Sequence, residues 1–185
     1  MKEAIVRLPW NGAAPVVETD RLRLREYRLS DWSDVRDMWK HPDVTKFFGG
    51  KPAPDELSWT KFLRKAGHWL LLGYGYWAVE DKHSGAFIGE AGFGDYKRDI
   101  YPSLGADPEI GWAIAPDFHG RGYASEAALA ATAWADAAFG TRRLCCIISP
   151  GNDASIRVAR KCGFHESARA TYNDDPIIIF HRDPQ

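Results

Sequence analysis

The sequence predicts a mixed α/β domain: a central, mostly antiparallel sheet of about seven strands flanked by about four helices. Three observations carry that expectation. Glu109 to Ala115 is a compact apolar run closed by Pro116, and a loop with two glycines and an alanine-rich segment to Phe139 follow it: strand, loop, helix. Strand-like and helix-like segments keep alternating beyond it, through Arg143–Ser149 and Asp153–Lys161. Tyr76–Glu80 and Ala86–Phe93 flank the turn Asp81-Lys82-His83-Ser84-Gly85, an antiparallel hairpin.

Taken in order, residues 1–16 read as an arm and residues 17–185 as a single domain. Asn11-Gly12 and Pro15 are turn or linker signals, although Ile5, Val6, Leu8 and Trp10 give the arm apolar side chains suited to packing on the body. Leu22 and Leu24 alternate with Arg21, Arg23 and Arg25, a strand with one wet face. Ser30 is the expected N-cap of a helix over Asp31–Lys40, with Trp32, Val35 and Trp39 on one side and Pro42 past its end. Phe47 to Pro54 is a loop. Asp55 is the expected cap of a second helix through about Leu71, apolar at Trp59, Phe62, Leu63, Ala66, Trp69 and Leu70, and broken by Gly73 and Gly75. Asp95–Asp107 is polar and turn-rich. Gly140 stops the long helix, Asn152 caps the next, and Ser167–Tyr172 with Ile177–His181 form a last hairpin.

Composition excludes several classes. A chain of 185 residues with 45% hydrophobic and 26% charged residues is an ordinary globule with room for a core. A net charge of −1 provides no field for nucleic acid or another polyanion. Three cysteines without Cys-x-x-Cys spacing argue against a disulfide framework or a zinc site. Cys145 and Cys146, adjacent in a strand, point to opposite faces, and with Cys162 they read as buried free thiols. Asp117 and His119 alone are too few for a metal, and none is expected. Apolar runs are too short to span a bilayer, and Met1 to Trp10 lacks the apolar core of a signal peptide, so the expected location is cytoplasmic with no membrane partner. Eight tryptophans are many; the core is the expected place for most, and an exposed subset would suit a homodimer face.

Strand, glycine loop and helix form a physical device for holding phosphate, because glycines let the backbone approach closely and the helix N-terminus carries partial positive charge. No Gly-x-x-x-x-Gly-Lys-Ser/Thr run exists, and Gly120-Arg121-Gly122 lacks the third glycine of a dinucleotide fingerprint. His119-Gly120-Arg121-Gly122-Tyr123-Ala124 instead resembles the pyrophosphate loop of the GNAT superfamily of acyl-CoA-dependent N-acetyltransferases, Gln/Arg-x-x-Gly-x-Gly/Ala, with His119 in place of the Gln or Arg. Asn152-Asp153-Ala154-Ser155 followed by Lys161-Cys162-Gly163-Phe164 is similar to a second block of that family. Thr19-Asp20-Arg21-Leu22-Arg23-Leu24-Arg25 resembles the opening strand of its Rim-type branch, the ribosomal-protein N-terminal acetyltransferases and their relatives.

The resemblance implies the GNAT fold and an acetyl-CoA-dependent N-acetyltransferase, with direct attack of an amine in a ternary complex. It implies that the central strand splits from its neighbour and that Trp112, Ala113 and Ile114 pair with the pantetheine arm, one N–H polarising the thioester carbonyl. It places the pyrophosphate over His119, Gly120, Arg121, Gly122, Tyr123, Ala124 and Ser125, with Asn152 on the pantetheine amides and Arg157, Arg160 and Lys161 near the 3′-phosphate. Glu109 is the candidate general base, sharing its side of the strand with Gly111 and Ala113; Glu90 in the neighbouring strand is the alternative. Ser155 is the candidate acid, since Ala159 stands where many members carry a tyrosine; Tyr172 is a second possibility. The acceptor is a protein N-terminus or a small-molecule amine. Two other readings stay open: a non-catalytic acyl-CoA sensor and a partner-binding module.

Overall fold

One sheet organises the chain. A computed structural model describes residues 14–184, and among these eight strands run in the order β1-β2-β3-β4-β5-β6-β8-β7. They are β1 (Val17–Glu18), β2 (Leu22–Arg25), β3 (Tyr76–Asp81), β4 (Phe87–Gly94), β5 (Glu109–Ile114), β6 (Leu144–Ile148), β7 (His165–Tyr172) and β8 (Asp175–Arg182). Every neighbouring pair is antiparallel except β5 with β6. Five α-helices complete the fold: α1 (Trp32–Lys40), α2 (Pro42–Thr45), α3 (Asp55–Leu72), α4 (Tyr123–Phe139) and α5 (Asp153–Lys161). The expected mixed α/β architecture is therefore present. The strand and helix beyond the expected numbers are the two-residue β1 and the four-residue α2.

Strand register sorts the side chains onto two faces, because directly opposed residues share a face. Leu24, Val79, Trp77, Ala91, Phe93, Ile110 and Trp112 belong to one face, which packs with Ala127, Ala128, Ala131 and Ala135 of α4 in the main core. Alanines let this helix lie close to the sheet. The other face carries Arg25, Glu80, Tyr76, Glu90, Gly111 and Glu109, beneath α1 and α3. Cys145 packs with Ile100, Leu104, Ile177 and Ile179, while Cys146 lies in the main core, so the two thiols do point apart.

Three expectations are corrected. The arginine side of β2 is wet only in part: the Arg21 and Arg23 side chains are 45% and 42% exposed, but Arg25 is buried and binds both carboxylate oxygens of Asp31 (2.8 Å each) and one of Glu80 (2.6 Å). Ser30 does not cap α1, because Asp31 turns inward to Arg25 and to the Arg28 N–H (2.7 Å), and a 3₁₀ turn over Leu29–Asp31 leads into the helix. Pro54 rather than Asp55 occupies the N-cap of α3. The tryptophans do serve the core for the most part: Trp69 and Trp77 are fully buried, Trp39, Trp112 and Trp134 are half-buried against core clusters, and Trp10 lies outside the described residues. The arm's expected packing through Ile5, Val6, Leu8 and Trp10 also lies outside the described residues. At the end of the expected arm, Ala14 is buried and the Pro15 carbonyl accepts from Trp77 Nε1 (2.7 Å).

Breaking a buried ion pair on one side leaves an uncompensated charge, which costs about 3–5 kcal/mol. Arg25→Ala strands both Asp31 and Glu80, so urea unfolding is expected to show a loss in that range. The three thiols are buried, and burial raises Cys162 to about 11 and the other two further. In the native protein they are expected to react with Ellman's reagent far more slowly than in urea.

Candidate active site

The site begins where two strands part. β5 is bonded to β4 along its whole length, from Glu109↔Gly94 to Ile114↔Gly89. Its parallel pairing with β6 is a single position, Glu109↔Cys145. Beyond it, backbone groups of 110–114 that turn away from β4 have no strand partner. Trp112, Ala113 and Ile114, the residues expected along a pantetheine arm, therefore border a split in the sheet.

At the end of β5 the chain turns through a 3₁₀ turn, Pro116–Phe118, into the glycine loop. Gly120 (φ 74°) and Gly122 (φ 79°) are both left-handed, which glycine adopts at no steric cost. Gly122 is the N-cap of α4, and the first backbone bond of that helix runs from Glu126 N to Gly122 O (3.1 Å). The N–H groups of Tyr123, Ala124 and Ser125 are left without a backbone partner, as a helix N-terminus requires. Unbonded N–H groups at the positive end of a helix are suited to receive an anion. His119 does not extend this set with its ring: Nε2 lies 2.7 Å from the Ile114 carbonyl, tying the loop to the end of β5. Arg121 is exposed, over the Phe118 ring (5.7 Å).

A clasp from the first strands holds this loop. Arg21 Nε donates to Glu126 Oε2 (2.7 Å), Arg21 Nη1 to the Arg121 carbonyl (3.0 Å), and its guanidinium covers the Tyr123 ring (4.4 Å). Thr19 Oγ1 donates to Glu126 Oε1 (2.6 Å). Glu126 is an acid in the first turn of a helix otherwise disposed to bind anions, and Arg21 neutralises it. Sequence reasoning saw Thr19 and Arg21 only as a family strand; nothing in their spacing shows that they reach α4.

Glu109 shares its face with Gly111 and Ala113, as expected, and is buried. Both of its oxygens accept from Arg98, Nε at 2.6 Å and Nη2 at 2.8 Å. Arg98 sits between the rings of Tyr96 (4.7 Å) and Tyr172 (4.8 Å), which leaves Tyr172 as a wall for that guanidinium. Glu90, the alternative base, is buried against Lys65 Nζ and accepts from the Tyr27 hydroxyl (2.7 Å). The Tyr76 hydroxyl lies over Gly111, where a Cβ would approach it to 2.2 Å, and hydrogen-bonds with Tyr96. Burial pushes the Tyr76 phenol well above its ordinary range and Tyr96 to about 12, so both are neutral. Lys65, Tyr76 and Arg98 were missed as site residues; an inward lysine on an amphipathic helix was the one available signal.

On the other bank, Asn152 caps α5, its Oδ1 accepting from Ser155 N (3.2 Å), which leaves its amide NH₂ free for another contact. The Ser155 hydroxyl has no hydrogen bond among the described residues and is half-buried. Arg157, Arg160 and Lys161 are exposed. Among the described residues, no group of three or more His, Cys, Asp or Glu side chains is placed to hold a metal ion, and no helix is long and apolar enough to cross a membrane.

The family model described as acetyltransferase (GNAT) domain matches residues 21–165. The chain belongs to the GNAT acetyltransferase family. It is 32% identical over 172 residues to the uncharacterized protein YkkB of Bacillus subtilis (strain 168), covering 89% of this chain and 93% of that one. A GnaT-family acetyltransferase from Bordetella pertussis superposes with a TM-score of 0.82 at 28% identity, covering 91% and 99% of the two chains. RimL, a ribosomal L7/L12 α-N-protein acetyltransferase solved with coenzyme A, shares the fold at a TM-score of 0.73 and 16% identity, covering 91% and 98%.

A methyl group at position 111 collides with the Tyr76 hydroxyl. Gly111→Ala is expected to lower stability by about 1–3 kcal/mol, and adding Tyr76→Phe to restore most of it, read by thermal denaturation of the single and double variants.

Proposed function

We propose that this GNAT protein moves the acetyl group of acetyl-CoA to a primary amine by direct attack in a ternary complex. The observation that carries the reading is the parting of β5 from β6 immediately before an unbonded helix N-terminus with two left-handed glycines. That arrangement supplies an extended slot and an anion cradle in line, as an acyl-pantetheine with a pyrophosphate requires. Space over Gly120 is open, with nothing within 4 Å of an added Cβ.

In this reading the backbone of Trp112, Ala113 and Ile114 binds the pantetheine, and one N–H of that stretch polarises the thioester carbonyl. The cradle from His119 to Ser125 holds the pyrophosphate, through backbone alone at His119. The Asn152 amide binds the arm, and the Ser155 hydroxyl donates to the departing thiolate. Glu109 takes the amine proton through a water. Arg98 occupies one lone pair on each of its oxygens, orienting the carboxylate and leaving the second lone pair of each as the proton acceptor. Positioning alone supplies much of the rate, so no covalent intermediate is needed. The opening-strand motif favours the Rim-type branch and with it an α-amine acceptor.

Calorimetric titration with acetyl-CoA in metal-free buffer is expected to show binding at micromolar concentration or tighter. Glu109→Gln is expected to keep that binding while lowering turnover about 10²–10⁴-fold; unchanged turnover removes Glu109 as the base, and absent binding removes the reading. Arg21→Ala is expected to raise KM for acetyl-CoA about tenfold, because Glu126 is then an uncompensated anion beside the cradle. Its kcat should hold, S-acetyl-pantetheine, which lacks the pyrophosphate, should be unaffected, and adding Glu126→Gln should recover part of the loss.

A further inference from the structure

Resting on that reading, we propose that the acceptor amine also carries an anionic group, a carboxylate or a phosphate, read by Lys61, Arg64 and Arg98. The first observation is the mixed face that α3 turns to the sheet. The helix exposes Leu57, Leu63, Leu70 and Leu71, at 47%, 51%, 67% and 80% of their surface, while it buries Lys65 and His68 alongside Phe62 and Trp69. Lys61, one turn before Lys65, is half-buried, and Arg64 beside it is exposed.

The second observation is the charge balance beneath it. The acids on this side of β4 and β5 already have partners: Glu90 is held by Lys65 and Tyr27, and Glu109 by Arg98 on both oxygens. Asp95, just past β4, is paired with Lys97 (2.7 Å). Lys61 and Arg64 are left without a carboxylate among the described residues. They lie instead over aromatic rings, Lys61 over Trp39 (5.9 Å) and Arg64 over Tyr96 (4.8 Å), the ring that Arg98 also covers. Lys61 is half-buried, and its burial and the nearby Arg64 charge both work against its proton. The third observation is Trp39 Nε1, a buried N–H with no acceptor among the described residues, beside Lys61 and Lys65.

Unpaired cations and an orphan N–H around aromatic walls, contiguous with Glu109 through Arg98, match an amine substrate that brings its own negative charge. They oppose a polyamine, whose extra ammonium groups would meet Lys61 and Arg64 with no free carboxylate to receive them.

The test pairs amines that differ only in the anion: tryptophan with tryptamine, glucosamine 6-phosphate with glucosamine, and spermidine as the polycation. Each is titrated into the CoA-saturated protein, and each is assayed for acetylation with acetyl-CoA. The anion-bearing member is expected to bind and react at least about tenfold better than its partner, and spermidine least of all. The carboxylate and phosphate pairs distinguish the two sources of charge. Lys61→Gln/Arg64→Gln should abolish the preference while leaving acetyl-CoA affinity, and therefore the fold, unchanged. Equal binding within both pairs, no binding of either anion-bearing amine, or a preference that survives the double variant overturns the proposal. Because acetyl-CoA binding is measured separately, failure of the acetyltransferase reading shows as lost cofactor binding and is distinguishable from failure of this one.

Discussion

Everything about the site depends on β5 having one satisfied edge and one open edge. The open edge is not slack. β5 is bonded to β4 from Glu109 to Ile114, and β6 is bonded to β8 from Leu144 to Ile148. Each strand is fixed from the side away from the split, so the two diverge as parts of rigid ladders. Backbone groups removed from water need partners, and the proposed pantetheine arm, an extended chain with amides, would supply them along the split. The His119 ring secures the far end by bonding the Ile114 carbonyl. The same strand then ends in the glycine loop, so in the proposed reading one element positions the acyl group and the anion together.

The elements were largely legible, because the signals were local. Periodicity marked β5 and the flanking hairpin, Gly140 marked the end of α4, and the Asn152 cap was read correctly. What failed were particular inferences about which polar side chains meet water. The arginines of β2 alternate as a solvated edge would, yet Arg25 is buried because Asp31 and Glu80 come from elsewhere to receive it. Ser30 has the chemistry of a cap, but Asp31 is drawn inward and the helix starts later. Of the apolar positions read on α3, Phe62 and Trp69 are buried but Leu63 and Leu70 are exposed, while Lys65 points in. Each miss has one cause. A polar sheet face inverts the usual rule for whatever packs on it, and no local pattern announces that the face is polar. Glu109 was found from its place at the start of the strand, but its partner Arg98 lies in an irregular loop whose contacts no periodicity encodes.

That polar face also explains why the charged pairs differ in role. Register puts Arg25, Glu80, Glu90 and Glu109 on one side of the sheet, in passing from β2 to β5. The Arg25–Asp31 and Lys65–Glu90 pairs are closed off, with side chains no more than 8% exposed. Pairs of this kind contribute little net stability beyond a well-packed apolar equivalent, but losing one partner is costly, so they specify how α1 and α3 sit. The Arg98–Glu109 pair is the most open of the three, at 18% and 10%. Water reaches it, the cost of separating its charges is correspondingly lower, and Arg98 is carried by the loop between β4 and β5. A pair in that position can share its guanidinium with a substrate anion while its carboxylate takes a proton. The two buried pairs cannot do this, so in the proposed mechanism the chemistry falls to the strand where the sheet opens.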